Sequence, residues 1–149
     1  NLNFDLKLVA LKRQKPEFKN LKYKEILKHL TKIDNSRSDI GLCSNNKIFE
    51  TGTSNLLFVK NDKVFSPINK FYKGITYKFF RSKIKKIIKK DISINSLKEF
   101  DEIILIGSGK GVASVKTINQ IKWKRKNLKF YNILSRHYKS AISNCKKYN

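Results

Sequence analysis

One short stretch, FETGTSNLLFV at positions 49–59, constrains the fold of this chain more than any other. Two apolar runs flank several small or polar residues, and Glu50 stands at the end of the first run. Short apolar runs separated by a Gly-containing segment predict two β-strands joined by a turn. A plain turn between strands needs no carboxylate at its mouth. The stretch therefore predicts a ligand site built over a turn.

The remainder of the chain mixes further predicted strands with helices. Strands are predicted at 4–12, 39–44, 46–50, 101–107 and 112–118, and a hairpin at 55–67 with Asn61 and Asp62 at its turn. Apolar residues at helical spacing predict helices at 22–33, 76–90 and 128–145. This mixture favours an α/β fold of the mixed α+β kind.

Charge raises the question of a nucleic-acid partner, because the net charge is +23, with 34 basic and 11 acidic residues. Lysines run from end to end, however, and Asn and Ile are also abundant, which favours lysine as a surface residue without a binding role. The segment 78–90, KFFRSKIKKIIKK, is the basic cluster with interleaved aromatics. A non-enzymatic module that binds RNA or DNA through this segment stays as a remote alternative.

Length and residue usage restrict the remaining classes. A chain of 149 residues suits one domain with a core, and no apolar run reaches the length of a membrane helix. Cys43 and Cys145 lie far apart and form no metal-ligand cluster, so we expect reduced thiols, a cytoplasmic location and no metal site. The chain lacks Met, so we expect it to be a piece of a longer protein.

Glycine distribution gives a sharper indication of the ligand. Five of the six glycines fall in three short loops: Gly52, Gly74, and the group Gly107, Gly109 and Gly111. Thr76 follows Gly74 at the predicted start of a helix, and Ser108 follows a predicted buried strand. A hydroxyl beside free backbone amides can bind an anion, so these loops predict two half-sites for one phosphate. No helix followed by an acidic residue supports a dinucleotide-binding fold.

Four motifs in a fixed order resemble one family. They are PEFKNLKY (16–23), Glu50 to Asn55, Gly74-Ile75-Thr76, and GSGKGVASV (107–115). Over about residues 4–120 this order and spacing resemble the class IV aminotransferases, pyridoxal-phosphate enzymes of fold type IV. That family includes branched-chain and D-amino-acid aminotransferases and 4-amino-4-deoxychorismate lyase. The implied fold is the C-terminal domain of these enzymes, a mixed sheet or pseudo-barrel with flanking helices.

The resemblance also implies roles for individual residues toward pyridoxal 5'-phosphate. The implied roles are Lys19 as Schiff-base lysine and proton shuttle, Glu50 as partner of the pyridine nitrogen, Tyr23 near the phenolic oxygen, Ile75, Thr76, Ser108 and Gly109 at the phosphate, and Thr53 and Ser54 on the substrate side. From the residues alone, Lys12, Lys15 and Lys22 compete with Lys19. On the same basis Tyr23 could equally be a core residue, and Thr76 an ordinary helix start.

The sequence also departs from the family pattern. Tyr77 stands where the family usually has Arg, and Ser114 where it usually has Pro. The resemblance implies a further N-terminal domain of roughly a hundred residues that this sequence does not include, so we expect residues 1–149 to be the cofactor-binding domain. The resemblance implies a homodimer acting on a small-molecule amino substrate.

The reaction is narrowed by two details of the motifs. The short Lys19–Tyr23 interval and the Thr-Ser-Asn turn resemble 4-amino-4-deoxychorismate lyase, which releases pyruvate and 4-aminobenzoate for folate synthesis. A branched-chain or D-amino-acid aminotransferase is the alternative.

Overall fold

A computed structural model describes residues 3–18 and 23–145 of the chain. The strands are β1 (Phe4–Ala10), β2 (Ser38–Ser44), β3 (Lys47–Thr51), β4 (Asn55–Lys60), β5 (Lys63–Ser66), β6 (Ile87–Lys89), β7 (Ile92–Ser93), β8 (Glu102–Gly107), β9 (Gly111–Ile118) and β10 (Trp123–Lys124). The helices are α1 (Lys24–Leu30), α2 (Ile75–Lys83) and α3 (Lys129–Ser143), and two 3-10 helices span Ile94–Glu99 and Asn119–Ile121.

All the strands belong to one mixed sheet. Its order is β6-β5-β4-β8-β9-β1-β2-β3-β7, and β10 pairs with β9 beside this path. The pairs β1–β2, β1–β9 and β5–β6 are parallel, and the other pairs are antiparallel. Strand β9 joins the two halves of the sheet, because its first residues pair with β8 and Val115 and Thr117 pair with β1. The predicted mixed α/β class is confirmed.

The core lies on both faces of the central strands. On β4, Leu57 packs in the cluster that also contains α2 and α3 residues, whereas its neighbour Phe58 packs in the opposite cluster with Phe4 and Trp123. Successive side chains of a strand point to opposite faces, so β4 and β8 are buried on both. This explains why residues 56–59 and 103–106 read as continuous apolar runs.

Helix α1 packs separately, against β2. Ile26 and Leu30 of the helix meet Ile40 and Leu42 of the strand. Tyr23, at the start of the helix, packs against this cluster. The contact places the start of α1 beside the end of β3, where Glu50 lies, because β2 and β3 are paired.

The hairpin prediction is confirmed in detail. Asn61 and Asp62 connect β4 to β5 with φ angles of 49° and 59°. Two successive positive φ values define the tight turn that matches the twist of paired strands, and Asn and Asp tolerate them better than most residues.

The predicted helix at 76–90 is wrong in its second half. Helix α2 ends at Lys83, Ile84 is extended, and Ile87–Lys89 forms β6 in parallel with β5. Alternating lysine and isoleucine pairs fit a helical period, but β-branched Ile87 and Ile88 also suit a strand. Backbone pairing with the edge of β5 favours the strand over the helix in this segment. Within the described residues, no helix is both long and apolar enough to span a membrane.

Candidate active site

A cleft of about 360 Å³ opens where β3, β8, α1 and α2 come together. Among the residues that line it are Tyr23, Glu50, Ile75, Thr76 and Ser108. These positions were predicted separately from four motifs spread over much of the chain. The fold therefore brings most of the predicted site residues to one place.

Two predicted residues remain, Lys19 and Gly109. Lys19 lies outside the described residues. Gly109 follows Ser108 in its loop without lining the cleft, and a Cβ added at Gly109 would meet no atom within 4 Å.

Glu50 is a buried carboxylate at the end of β3, with 3% of its surface exposed. Its Oε1 accepts a hydrogen bond from Nε of Arg13 at 2.7 Å, and its Oε2 lies 3.4 Å from the backbone nitrogen of Tyr72, which donates to it. Burial raises the pKa of Glu50, while Arg13 and the Tyr72 amide act in the opposite direction. A carboxylate oxygen has two lone pairs, so Oε2 can accept a further hydrogen bond from a cationic donor in the cleft.

Arg13 is a site residue that the sequence reasoning missed. It follows β1 in the chain and also lines the cleft. Its partner Glu50 is 37 positions away, and Arg13 is one of 34 basic residues. No local pattern distinguishes it from them. Its contact with Glu50 depends on the sheet order, in which β1 pairs with β2 and β2 pairs with β3.

The turn at 51–55 explains why small polar residues follow Glu50. The hydroxyl of Thr51 accepts a hydrogen bond from the Ser54 nitrogen at 2.8 Å, and the Thr51 nitrogen donates to the Ser54 carbonyl at 2.9 Å. These bonds close a tight turn between β3 and β4.

Asn55 connects that turn to the segment leading into α2. Its Nδ2 donates to the carbonyl of Tyr72 at 2.6 Å, and its Oδ1 accepts from the nitrogen of Gly74 at 3.2 Å. A Cβ on Gly74 would lie 3.2 Å from the same Oδ1, so a larger residue would crowd this bond. One amide side chain thus fixes the backbone on both sides of residue 73.

The start of α2 forms the first predicted anion site. Gly74 is the N-cap and provides no side-chain hydrogen bond to the helix. The first amides of a helix have no intrahelical acceptors, and the helix dipole makes this end attractive to anions. Thr76 is buried beside these amides, whereas Ile75 is 80% exposed at the mouth of the cleft.

The loop at 107–111, which we call the Ser108 loop, forms the second predicted anion site. It begins where β8 ends. A Cβ on Gly107 would lie 3.0 Å from Oγ of Ser54 and 3.3 Å from the carbonyl of Thr53, so glycine permits the loop to touch the 51–55 turn. The two loops therefore form one wall of the cleft.

The two departures from the family pattern are both core residues. Tyr77 is buried in α2, and its hydroxyl is 3.0 Å from Oγ of Ser66. Ser114 is buried in β9 and accepts a hydrogen bond from Arg125 at 3.0 Å. Neither residue lines the cleft.

A larger cavity, of about 680 Å³, lies between β5, the end of α2 and α3. Its lining is apolar with several lysines and includes His137. Its lining contains no buried carboxylate, and the backbone nitrogen of Phe130, in the first turn of α3, already donates to Glu102. The smaller cleft is therefore the better candidate for catalysis.

Solved structures with the same fold include members of more than one enzyme group. One is a protein from Thermotoga maritima described as a branched-chain amino acid aminotransferase, which is 21% identical to this chain with a TM-score of 0.76. The match covers 95% of this chain and 56% of that structure. Another, from Legionella pneumophila, is described as a 4-amino-4-deoxychorismate lyase and is 17% identical with a TM-score of 0.79. The match covers 92% of this chain and 55% of that structure. An aminotransferase from Brucella abortus, bound to pyridoxal phosphate, is 20% identical with a TM-score of 0.71. The match covers 91% of this chain and 54% of that structure.

These similarities establish the fold, and the chain spans about half the length of each of these structures. No curated protein matches the sequence. The family model described as amino-transferase class IV matches residues 4–118. This match covers most of the sequence and includes the Glu50 turn, the start of α2 and the Ser108 loop. The chain belongs to the class IV aminotransferase family.

Proposed function

We propose that this chain is the cofactor-binding part of a pyridoxal-phosphate-dependent enzyme acting on a small-molecule amino substrate. The observation that carries the proposal is the convergence of Glu50, Thr76 and Ser108 on one cleft. The similarity to an aminotransferase with bound pyridoxal phosphate supports it.

The residues of the cleft fit this cofactor chemically. A buried carboxylate suits a protonated ring nitrogen, and two hydroxyls with a helix start suit a phosphate. These groups come from different elements that border the same cleft, as a ligand with a cationic nitrogen and an anionic group requires. Arg13 satisfies one Glu50 oxygen and leaves the other with a weak backbone contact.

Each residue then has a distinct task. Pyridoxal phosphate, when bound, would supply an electron-withdrawing ring next to the reacting carbon of the substrate. Glu50 would accept a hydrogen bond from the ring nitrogen and hold a proton there. Thr76, Ser108 and the amides of Ile75 and Gly109 would bind the phosphate. Lys19 would attach the cofactor and move the proton at the substrate carbon, with Tyr23 near the phenolic oxygen.

The cofactor proposal is tested by trapping the attachment site. The protein is mixed with pyridoxal phosphate, treated with borohydride, digested and analysed by mass spectrometry. We expect the label on Lys19. A label on another lysine, or no label, would refute the assignment of Lys19.

For the reaction, we propose 4-amino-4-deoxychorismate lyase activity, in which pyruvate is expelled and 4-aminobenzoate remains. The short Lys19–Tyr23 interval and the Thr-Ser-Asn turn support this choice. Formation of an aromatic ring drives the elimination, so the protein needs to remove one proton and position the leaving group. Branched-chain or D-amino-acid transamination is the second candidate, because solved structures of similar fold include a branched-chain aminotransferase.

Product analysis separates these reactions. A lyase should form pyruvate and 4-aminobenzoate from aminodeoxychorismate with no amino acceptor present. A transaminase should leave aminodeoxychorismate unchanged and convert leucine or D-alanine to its keto acid when an acceptor is added. The second result would reject the lyase proposal.

Three further features of the complete enzyme are part of the proposal. We propose a homodimer, a cytoplasmic location, and an additional N-terminal domain that completes the substrate pocket. Size-exclusion chromatography with light scattering tests the first of these. A monomer at micromolar concentration that still turns over substrate would contradict the dimer.

A further inference from the structure

A buried charged network lies directly behind the cleft and is not used by the proposed chemistry. Its centre is Asp39 on β2, which has 0% of its surface exposed. Oδ2 of Asp39 accepts hydrogen bonds from the hydroxyl of Thr51 at 2.8 Å and from that of Thr53 at 2.6 Å. Its Oδ1 accepts from the nitrogen of Ile40 at 2.8 Å.

Lys110 brings the Ser108 loop into this network. Its Nζ lies 3.2 Å from Oδ2 of Asp39 and 2.5 Å from the hydroxyl of Thr53, and its side chain is 14% exposed. The ammonium group also lies 5.1 Å from the centre of the Phe4 ring. One lysine side chain thus links the Ser108 loop to both β2 and the 51–55 turn.

We propose that Lys110 and Asp39 are positioning residues that hold the Ser108 loop and the 51–55 turn in a fixed relative position in the wall of the cleft. Thr53 takes part because its hydroxyl bonds to both charged groups. The inference rests on the proposed function for one point only, the identity of the anion at Ser108 as the phosphate of the cofactor.

Stability alone does not account for such a pair. Burying two charges costs desolvation energy, and an apolar pair of similar volume usually stabilises a core as well or better. The hydrogen bonds of the ion pair are directional, so they fix both loops in one arrangement. The same loops approach so closely at Gly107 that a small displacement of one would disturb the other.

Substitutions at both positions separate positioning from stability. Lys110→Met and Asp39→Asn each leave one partner of the pair buried without the other, so each variant should lower the melting temperature and loosen the loops. The double variant removes both charges, so its melting temperature should recover. Its loops should stay loose, because the link between them is still missing. Lys110→Arg keeps the charge and should restore most of the wild-type behaviour.

The matched control is Lys116→Met, since Lys116 is an exposed lysine on β9. The first measurement is hydrogen exchange of the protein without ligand, followed in peptides covering 51–55 and 107–111. We expect exchange there to be about tenfold faster in Lys110→Met and in the double variant, and unchanged in α3 and in the control.

The second measurement compares binding of pyridoxal phosphate with binding of pyridoxal, which lacks the phosphate. We expect the ratio of the affinity for pyridoxal phosphate to that for pyridoxal to fall about tenfold in Lys110→Met and in the double variant. Lys110→Arg should keep the wild-type ratio. Recovery of loop exchange and phosphate preference together with melting temperature in the double variant would show a purely structural pair and overturn the inference.

The two proposals fail in distinguishable ways. If the wild type binds neither compound, the proposed function and the phosphate part of this inference are both wrong. Hydrogen exchange still decides whether Lys110 links the loops. If exchange at 107–111 is the same in the wild type and in Lys110→Met, the link itself is refuted, whatever binds in the cleft.

Discussion

At the scale of single residues, Glu50 has the most specific proposed role, because its carboxylate would bond the ring nitrogen of the cofactor. Replacing Glu50 by Gln keeps the shape and the acceptor for Arg13 but removes the charge that favours a protonated ring nitrogen. We expect the cofactor to stay bound and kcat to fall by about a hundredfold or more, because ring protonation matters most in the transition state. Steady-state kinetics and cofactor titration measure the two effects. Glu99→Gln, at an exposed ion pair with Lys60, is the control, and unchanged turnover in Glu50→Gln would reject the assigned role.

The pKa of Glu50 gives a prediction that needs no cofactor. Burial raises the pKa of Glu50 in the folded chain above its ordinary value of 4.5, so the folded state binds the proton more tightly than the unfolded state. The contribution of Glu50 to the free energy of unfolding is therefore fully present below about pH 4.5 and is lost as the pH rises through the folded pKa. The free energy of unfolding of the wild type minus that of Glu50→Gln should therefore decrease as the pH rises above about 4.5. Urea unfolding at several pH values tests this, and a difference that grows with pH would mean that Arg13 outweighs burial.

Sequence reasoning identified side chains whose neighbours along the chain carry a pattern. Glu50 is marked by the turn that follows it, and Thr76 and Ser108 by adjacent glycines. Arg13 and Asp39 have no such neighbours, and the glycines beside Lys110 indicate a loop but not its ion pair. Their partners are 37 and 71 positions away, so the sheet topology alone reveals them.

At the scale of elements, Asn55 joins the turn after β3 to the start of α2. Replacing Asn55 by Ala leaves the Tyr72 carbonyl and the Gly74 nitrogen without these partners. We expect a loss of about 1–3 kcal/mol in the free energy of unfolding. Relative to wild type, the affinity for pyridoxal phosphate should fall more than the affinity for pyridoxal. Asn55→Asp keeps an acceptor for Gly74 but loses the donor to Tyr72, so its effect should be intermediate. Equal affinities in wild type and Asn55→Ala would show that the start of α2 is positioned by other contacts.

Helix α3 is fixed in the same way, by a carboxylate from a strand. Glu102 on β8 is fully buried and accepts hydrogen bonds from the nitrogens of Phe130 and Tyr131 at 2.9 and 3.0 Å. Glu102→Ala removes the carboxylate that accepts from these two helix amides and should reduce the free energy of unfolding by about 2–4 kcal/mol. Urea unfolding measures the loss, and Glu99→Ala, at an exposed site, should change stability little. A small effect in Glu102→Ala would mean that water replaces the carboxylate.

Prediction of the elements succeeded where a local signal sufficed. The Asn61-Asp62 turn and the apolar strands β4 and β8 carry their own patterns. The segment 84–90 does not, because its lysine and isoleucine pairs suit a helix and a strand equally. Its state depends on β5, a partner more than twenty positions earlier, and no window of sequence contains that information.

At the scale of the whole molecule, positive charge is distributed over many surfaces. Ion pairs offset some of it on different elements, as in Lys47–Asp91, Lys60–Glu99 and Lys129–Asp62. The segment 78–90, which suggested a nucleic-acid interface, is not one helix. Its lysines lie partly on α2, partly in the link after it and partly on β6. A continuous basic helix face of the kind that enters a DNA groove is therefore missing from this segment.

This arrangement predicts that nucleic-acid binding is weak and unspecific. We expect fluorescence anisotropy to detect duplex DNA binding at about 0.05 M salt and to lose it by about 0.15 M, because only diffuse phosphate contacts hold the complex. Two variants with four lysines changed to Gln make the test specific. One changes Lys85, Lys86, Lys89 and Lys90, and the other changes the exposed Lys28, Lys32, Lys116 and Lys124. Both should weaken the low-salt binding equally, since net charge alone matters. Tight binding that persists at about 0.15 M salt and is lost only in the first variant would establish the segment 78–90 as a nucleic-acid site.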